Sequence, residues 1–482
     1  MSDPSPLMTA PESGVKVRMY RQGLGDCFLL AFATGTGRPY YMLIDCGVLM
    51  GTEDAADKMR RVAESLREST GGRIDVLVAT HQHWDHLSGF DPAQARGVFD
   101  QIEFGEVWVG WTEDPANDLA NRLRARRRAH LQALTGAARS LHAAGSEGKA
   151  GAVEAVLGFF GDLGVDGRPS KIEAALEYVL GRGKPPRYRA PGEMVGLPGS
   201  GARVFVLGPP QDEALLLRSD PSRKASEVYE QRLQLTQEAA FFAAILADAP
   251  VETLIDKETR NLSFPFEEVY RVAYDAGKGD PFFQERYFGE PGKPPEEDWR
   301  QIEDDWLGAG ETLALQLDSD TNNTSLALAI ELSPGGKVLL FPGDAQVGSW
   351  LSWQKLQWPR EGAGTIGAAD LLRRTALYKV GHHASHNATL RAQGLELMER
   401  PDLVAMIPVD EQMAHRPKGG NPDGWDMPFN PLLTRLKEKT RGRVLRADTG
   451  APAPEDLDPA DREAFAKDRI ETPLYLEITI PA

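Results

Sequence analysis

The chain has 482 residues, 41% hydrophobic and 26% charged, long enough for two domains or for one domain carrying large insertions. A formal charge of −17 and an isoelectric point near 5.1 make the surface as a whole repel nucleic acid and anionic membrane, although a local basic patch can override the total. No apolar stretch reaches the roughly 18 residues of a membrane span, the start "MSDPSPLMTAPESG" lacks an export pattern, and two cysteines, Cys27 and Cys46, make no disulfide framework. These features predict a cytoplasmic protein without a membrane partner, its thiols packed as small apolar groups.

Residues 1–14 are polar and Pro-rich and are expected to be disordered. "VKVRMYRQGLGDCFLLAFA" then reads as a strand, a Gly-Asp turn and a second strand, and "PYYMLIDCG" as a third. Apolar residues at helical spacing predict a helix from about Asp54 to Ser69, and "RIDVLVAT" is a near-continuous apolar strand leading into "HQHWDH". "EVWVGW" is a further strand. Over about 112–187, and again over 211–310, the sequence turns rich in helix formers and charge, which predicts two helical insertions; "AAFFAAILA" at 239–247 reads as a buried helix. "ARVFVLGPP" restores the β pattern between them. Beyond them "TSLALAIEL", "KVLLFPGD", "ALYKVGHHASH", "LVAMIPV" and "PLYLEITI" are strands, "PLLTRLKEKT" is a helix, and "APAPEDLDPADREAFAKD" is an acidic surface excursion.

"HQHWDH", residues 81–86, places three of the nine histidines and an aspartate at a strand end. An extended chain puts His81, His83 and Asp85 on one side, with His86 following as the chain turns into a helix. A lone histidine is ordinarily a core or loop residue. Four ligand-type groups at this spacing point instead to one or two divalent cations, Zn²⁺, Mn²⁺ or Fe²⁺. Asp344 in "LLFPGDA" follows a buried strand, where it can bridge two cations, and His382 or His383 in "VGHHASH" can close the second coordination sphere.

The set HxHxDH, then GD after an apolar strand, then HH after the next strand resembles the metallo-β-lactamase-fold hydrolases. A narrower similarity lies in the order of "GLGDCFLL", "LIDCG", "VFVLGPP", "NNTSLAL", "FPGDA" and "KVGHHASH", which looks like the metallo-hydrolase domain of bacterial competence DNA-uptake proteins. It covers the β-rich segments, leaves both helical blocks aside, and includes no membrane channel. The resemblance implies an α/β fold, an αββα sandwich of two mixed β-sheets flanked by helices, over 15–482. It also implies roles: His81 and His83 on one metal, Asp85 and His86 on the other, Asp344 bridging, and His382 completing the second with His383 as its rival. Where many family members have a further histidine this chain has Asn323, a poorer zinc ligand, which predicts a looser first metal or manganese in place of zinc. Ala384 stands where the family pattern has Gly.

The implied chemistry is hydrolysis by a water bridging two divalent metal ions, Zn or Mn, without a Ser or Cys nucleophile. Asp85 is expected also to orient the attacking group, and His386 or Lys379 to contact a phosphate or assist the leaving group. Asp26 and Asp45 are expected to make supporting hydrogen bonds, and Trp84 either to stack on a substrate ring or to pack on the sheet. A phosphodiesterase or nuclease is the leading reading, because Arg122, Arg124, Arg126, Arg127 and Arg128 in "NRLRARRRAH" offer charge to nucleic acid or a nucleotide, with Arg124 and Arg127 as candidate contacts. The alternatives are a hydrolase of a small phosphoester, lactone or thioester under a helical lid, and a partner-binding protein that retains the site. The helical insertions are also a candidate homodimer interface.

Overall fold

The computed structural model describes residues 7–143, 147–161, 170–218, 272, 276–277, 279–288, 305–360, 362, 364–417 and 423–482. In chain order its strands are β1 (Val15–Tyr20), β2 (Phe28–Phe32), β3 (Tyr40–Ile44), β4 (Arg73–Val78), β5 (Glu103–Gly110), β6 (Arg187–Arg189), β7 (Met194–Gly196), β8 (Arg203–Val206), β9 (Leu328–Glu331) and β10 (Val338–Phe341). They continue with β11 (Gln357–Pro359), β12 (Thr365–Gly367), β13 (Thr375–Lys379), β14 (Val404–Ile407), β15 (Val444–Arg446), β16 (Arg469–Glu471) and β17 (Tyr475–Ile480).

Two mixed sheets form from them. The first has eight strands in the order β16-β17-β1-β2-β3-β4-β5-β6, the second seven in the order β15-β14-β13-β10-β9-β8-β7. In the first, pairing is antiparallel as far as β3 and parallel from β3 to β6. In the second, β15, β14, β13 and β10 run parallel, and β10, β9, β8 and β7 antiparallel. Parallel strands are covered on both faces and therefore read as apolar runs, unbroken in β10 and over the last three residues of β4.

Three apolar layers follow from this pairing. One lies between the sheets and joins Val17, Leu30 and Val78 to Leu328, Leu339 and Leu377. A second packs the outer face of the first sheet on the helices Ala55–Thr70 and Lys171–Leu180, and a third packs the outer face of the second sheet on Val347–Trp353, Ala368–Arg373 and Asn430–Lys439. Helix, sheet, sheet, helix is thus the layer order. Helix Ala55–Thr70 stops at Gly71, in the left-handed region at φ 64°, and Lys171–Leu180 starts at a Ser170–Glu173 capping box.

Three expectations change here. Order begins before Val15: Met8 is buried, its amide donates to the Ser69 carbonyl at 2.8 Å and its carbonyl accepts from the Tyr41 hydroxyl at 2.7 Å. The first insertion holds helices Asp118–Ala143, Glu147–Leu157 and Lys171–Leu180, but its last residue, Arg187, opens β6. The second does not end near 310, because helix Asp305–Asn322 runs on to the sheet edge. The stretch 239–247 lies outside the described residues. Among the described residues no helix is long and apolar enough to cross a membrane.

Candidate metal centre

The carboxyl ends of β3, β4, β10 and β13 meet along one edge of the sandwich and deliver Asp45, His81, Asp344 and His382 within three residues of a strand end. After β4 the chain bends at His81 and Gln82, is extended at His83 (φ −111°, ψ 150°) and then enters the helical turn Trp84–Leu87. Asp85 is therefore presented by a helical turn, together with His86, and not by the strand period that the sequence suggests for it. That turn lies against Gly47, where a Cβ would stand 2.4 Å from the Asp85 carbonyl carbon, so only glycine admits so close an approach.

Asp85, His86, Asp344 and His383 bring one ligand atom each within 4.8 Å of the others. His86 Nε2 is 3.2 Å from Asp344 Oδ2 and 3.5 Å from Asp85 Oδ2, and His383 Nε2 is 2.9 Å from Asp85 Oδ2. His382, the sequence's first choice, is outside this set. Its amide donates to Asp344 Oδ1 at 3.0 Å, while its ring meets Ser385 Oγ at 2.8 Å and Asn322 Nδ2 at 3.5 Å. His382, His383 and Ala384 all adopt positive φ, 44°, 51° and 65°, a strained run that turns the second ring of the pair toward Asp85. On the other side His81 Nε2 faces His83 Nδ1 at 3.0 Å.

Outer partners fix these rings. Asp45 accepts from His86 Nδ1 at 2.8 Å, from the Thr80 amide at 2.8 Å and from the Thr80 hydroxyl at 2.7 Å. The Pro408 carbonyl holds His383 Nδ1 at 2.7 Å, and Thr80 and Ser325 hydroxyls stand 3.0 and 3.3 Å from His81 Nδ1. Each arrangement turns Nε2 toward the other candidate ligands. Asp26 meets Lys379 Nζ at 2.5 Å and is 3.9 Å from His86 Nδ1.

Burial drives the imidazoles apart in pKa. It holds His81 well below its ordinary value and pushes His83 down to about 3 and His382 to about 4, keeping their lone pairs available. Burial would lower His86 as well, but Asp344, Asp85, Asp26 and Asp45 outweigh it and raise it well above the usual range. Burial likewise opposes His383, yet its hydrogen bond to Asp85 and the field of Asp344 raise it. Asp344 stays well below the carboxylate range because Lys379 and His86 overcome its burial. Asp318, buried near Asp85 and Asp344, is pushed well above it.

This donor set fits divalent cations. Asp26, Asp45, Asp85 and Asp344 are all buried together, and Asp26 Oδ1, Asp85 Oδ1, His83 Nε2, Asp318 Oδ1 and Asn322 Oδ1 have no hydrogen-bond partner among the described residues. Buried anionic oxygens of this kind are compensated by cations.

Several sequence candidates serve the framework instead. The Asn323 amide donates to the Arg218 carbonyl and accepts from the Gln346 amide, so its neighbour Asn322 faces the centre. The Lys379 ammonium is buried between Asp26, Asp344 and the Gly343 carbonyl. Trp84 is a core residue, its ring where a Cβ on Gly161 would fall 2.8 Å away. Arg124 donates to the Thr112 and Asp114 carbonyls, Arg127 to Gln82 and Arg128 to Glu173. A cavity of about 300 Å³ beside these arginines also reaches Gln82, but among the described residues no ligand candidate lines it. His386 is exposed, its ring 6.2 Å from Phe429. The sequence reading missed Asp318 and Asn322, although their i, i+4 spacing in "DSDTN" was visible, and missed Phe159 and Phe160, whose rings lie 5.7 and 4.8 Å from His83.

Residues 21–176 match the sequence model of the family described as metallo-beta-lactamase superfamily. The fold is the metallo-β-lactamase fold. Its second sheet, with Asp344 and His383, lies beyond the matched range and completes the sandwich. No curated protein matches the chain. The family match over residues 21–176 and the buried ligand clusters together point to a metal-dependent hydrolase.

Proposed function

We propose that the protein hydrolyses a small ester, a phosphoester ahead of a lactone or thioester, with two divalent cations. His81 and His83 would hold one cation, Asp85, His86 and His383 the other, and Asp344 would lie between them. When bound, such a pair polarises the substrate, activates water at neutral pH and suits displacement at phosphorus.

Enclosure is the observation that carries the small-substrate reading. The six proposed ligands are at most 3% exposed, and Phe159 and Phe160 wall the His83 side, with Phe159 packed on Trp425 at 4.7 Å. A nucleic-acid strand needs an open basic groove, whereas Arg124, Arg127 and Arg128 are turned to protein acceptors. The aromatic wall excludes water and packs on the apolar part of a substrate. Asp45 keeps His86 aimed inward, Lys379 neutralises the outer oxygen of Asp344, and the exposed His386 would give a proton to the leaving group.

A second reading, a nuclease, is favoured by the motif order shared with competence-type hydrolase domains. One assay separates them. Metal-replete wild type and Asp344→Ala are compared on bis(p-nitrophenyl) phosphate, a lactone, a thioester, and single- and double-stranded DNA and RNA. Turnover confined to the small esters, falling roughly 10²–10³-fold or more in the variant, is expected. Preferred cleavage of polynucleotides would move the assignment to the nuclease, and equal turnover by both proteins would sink the two-cation proposal.

A further inference from the structure

The histidines of the centre follow one rule with a single open case. His81, His86 and His383 each have Nδ1 against a protein oxygen and Nε2 facing inward. His83 is reversed, because its Nδ1 faces His81 Nε2 at 3.0 Å, which leaves Nε2 as the outer nitrogen. That nitrogen is buried without a hydrogen-bond partner among the described residues, and Asp318 Oδ1, likewise unpartnered, lies 3.7 Å away. Both residues are buried, their side chains 2% and 10% exposed. The orientation of Asp318 is fixed as well, since Asn322, one helical turn on, donates Nδ2 to Asp318 Oδ2 at 3.0 Å and leaves Oδ1 directed at the ring.

We infer that Asp318 is the positioning carboxylate of His83, accepting its Nε2–H so that Nδ1 presents a lone pair to the first cation. The inference rests on the metal-hydrolase reading and deepens it. A carboxylate behind a ligating imidazole fixes its tautomer and orientation and raises its basicity, and loss of such a partner typically weakens metal binding 10–100-fold. In this chain the partner comes from helix Asp305–Asn322, which packs on the helices of the first insertion. The second helical block thereby acts on the first cation through His83.

Zinc binding to the full-length protein tests this. Isothermal titration with Zn²⁺ and metal counting by plasma mass spectrometry are run on metal-free wild type, Asp318→Ala and Asp318→Asn, with circular dichroism to check folding. His383→Gln marks the other cation. The expected result is two cations in wild type, one of them weakened roughly 10–100-fold in Asp318→Ala with the other unchanged. Asp318→Asn, whose amide oxygen still accepts from Nε2–H, recovers most of that loss and decides the matter if the alanine variant fails to fold. Unchanged affinity for both cations in the variants overturns the inference and leaves the hydrolase reading standing, as does equal weakening of both, which is a structural effect. A wild-type protein that takes up no cation overturns the reading and the inference together.

Discussion

Replacing Lys379 by methionine removes the one ammonium inside the carboxylate cluster while keeping the length of the side chain. Its Nζ is 2.5 Å from Asp26 Oδ2, 3.0 Å from Asp344 Oδ1 and 3.0 Å from the Gly343 carbonyl, with all three side chains at most 2% exposed. Burial would lower the lysine's pKa, but Asp26 and Asp344 reverse this and raise it. Breaking a buried pair from one side strands the partner charge, at about 3–5 kcal/mol. In metal-free protein the loss falls on both carboxylates. With cations bound Asp344 keeps positive charge beside it, so roughly half of the loss remains. Urea unfolding followed by tryptophan fluorescence, in chelator and in excess Mn²⁺ at neutral pH, reads both values. The sign with pH is fixed too. Burial already raises the pKa of Asp26 against the pull of Lys379, so without the ammonium Asp26 rises further, takes up a proton on acidification, and its share of the variant's deficit shrinks as the pH falls through that raised value. An unchanged midpoint in chelator, or the same loss with and without metal, would refute this account of Lys379.

Ala384→Gly relieves a non-glycine residue at φ 65° and is expected to stabilise the protein by about 0.5–1 kcal/mol in the same urea assay. His130, buried and held neutral with its pKa pushed down to about 3 mainly by burial, favours unfolding once the pH drops below its unfolded value near 6.5. At pH 5 that amounts to about 2 kcal/mol, so His130→Leu should narrow the gap in melting temperature between pH 7 and pH 5; an unchanged gap would count against it. Phe160→Ala removes a fully buried ring beside His83. It should cost about 3–5 kcal/mol and raise KM for small esters more than it lowers kcat, which steady-state kinetics on the folded variant would measure.

Local pattern in the sequence determined the strands, the order of the motifs and the segment types, because apolar period and turn chemistry act over a few residues. "HQHWDH", "FPGD" and "GHH" each announce ligand chemistry at a strand end for the same reason. Which atoms face one another is a property of contacts between distant segments. His383 lies 298 positions from Asp85, and the choice between it and His382 depends on three successive positive-φ residues that nothing in "GHHAS" declares. Lys379, Trp84 and the arginines carry side chains suited to a substrate, yet the fold gave them acceptors or core neighbours of their own. Asp318 was invisible as a site residue because a helical aspartate is ordinarily solvated; only the helix that runs on to the sheet edge buries it beside His83. The sequence alone thus determined a metallo-β-lactamase-like ligand inventory, and the tertiary structure decided its pairing, since hydrogen bonds and charge compensation are set by distance in space and not along the chain.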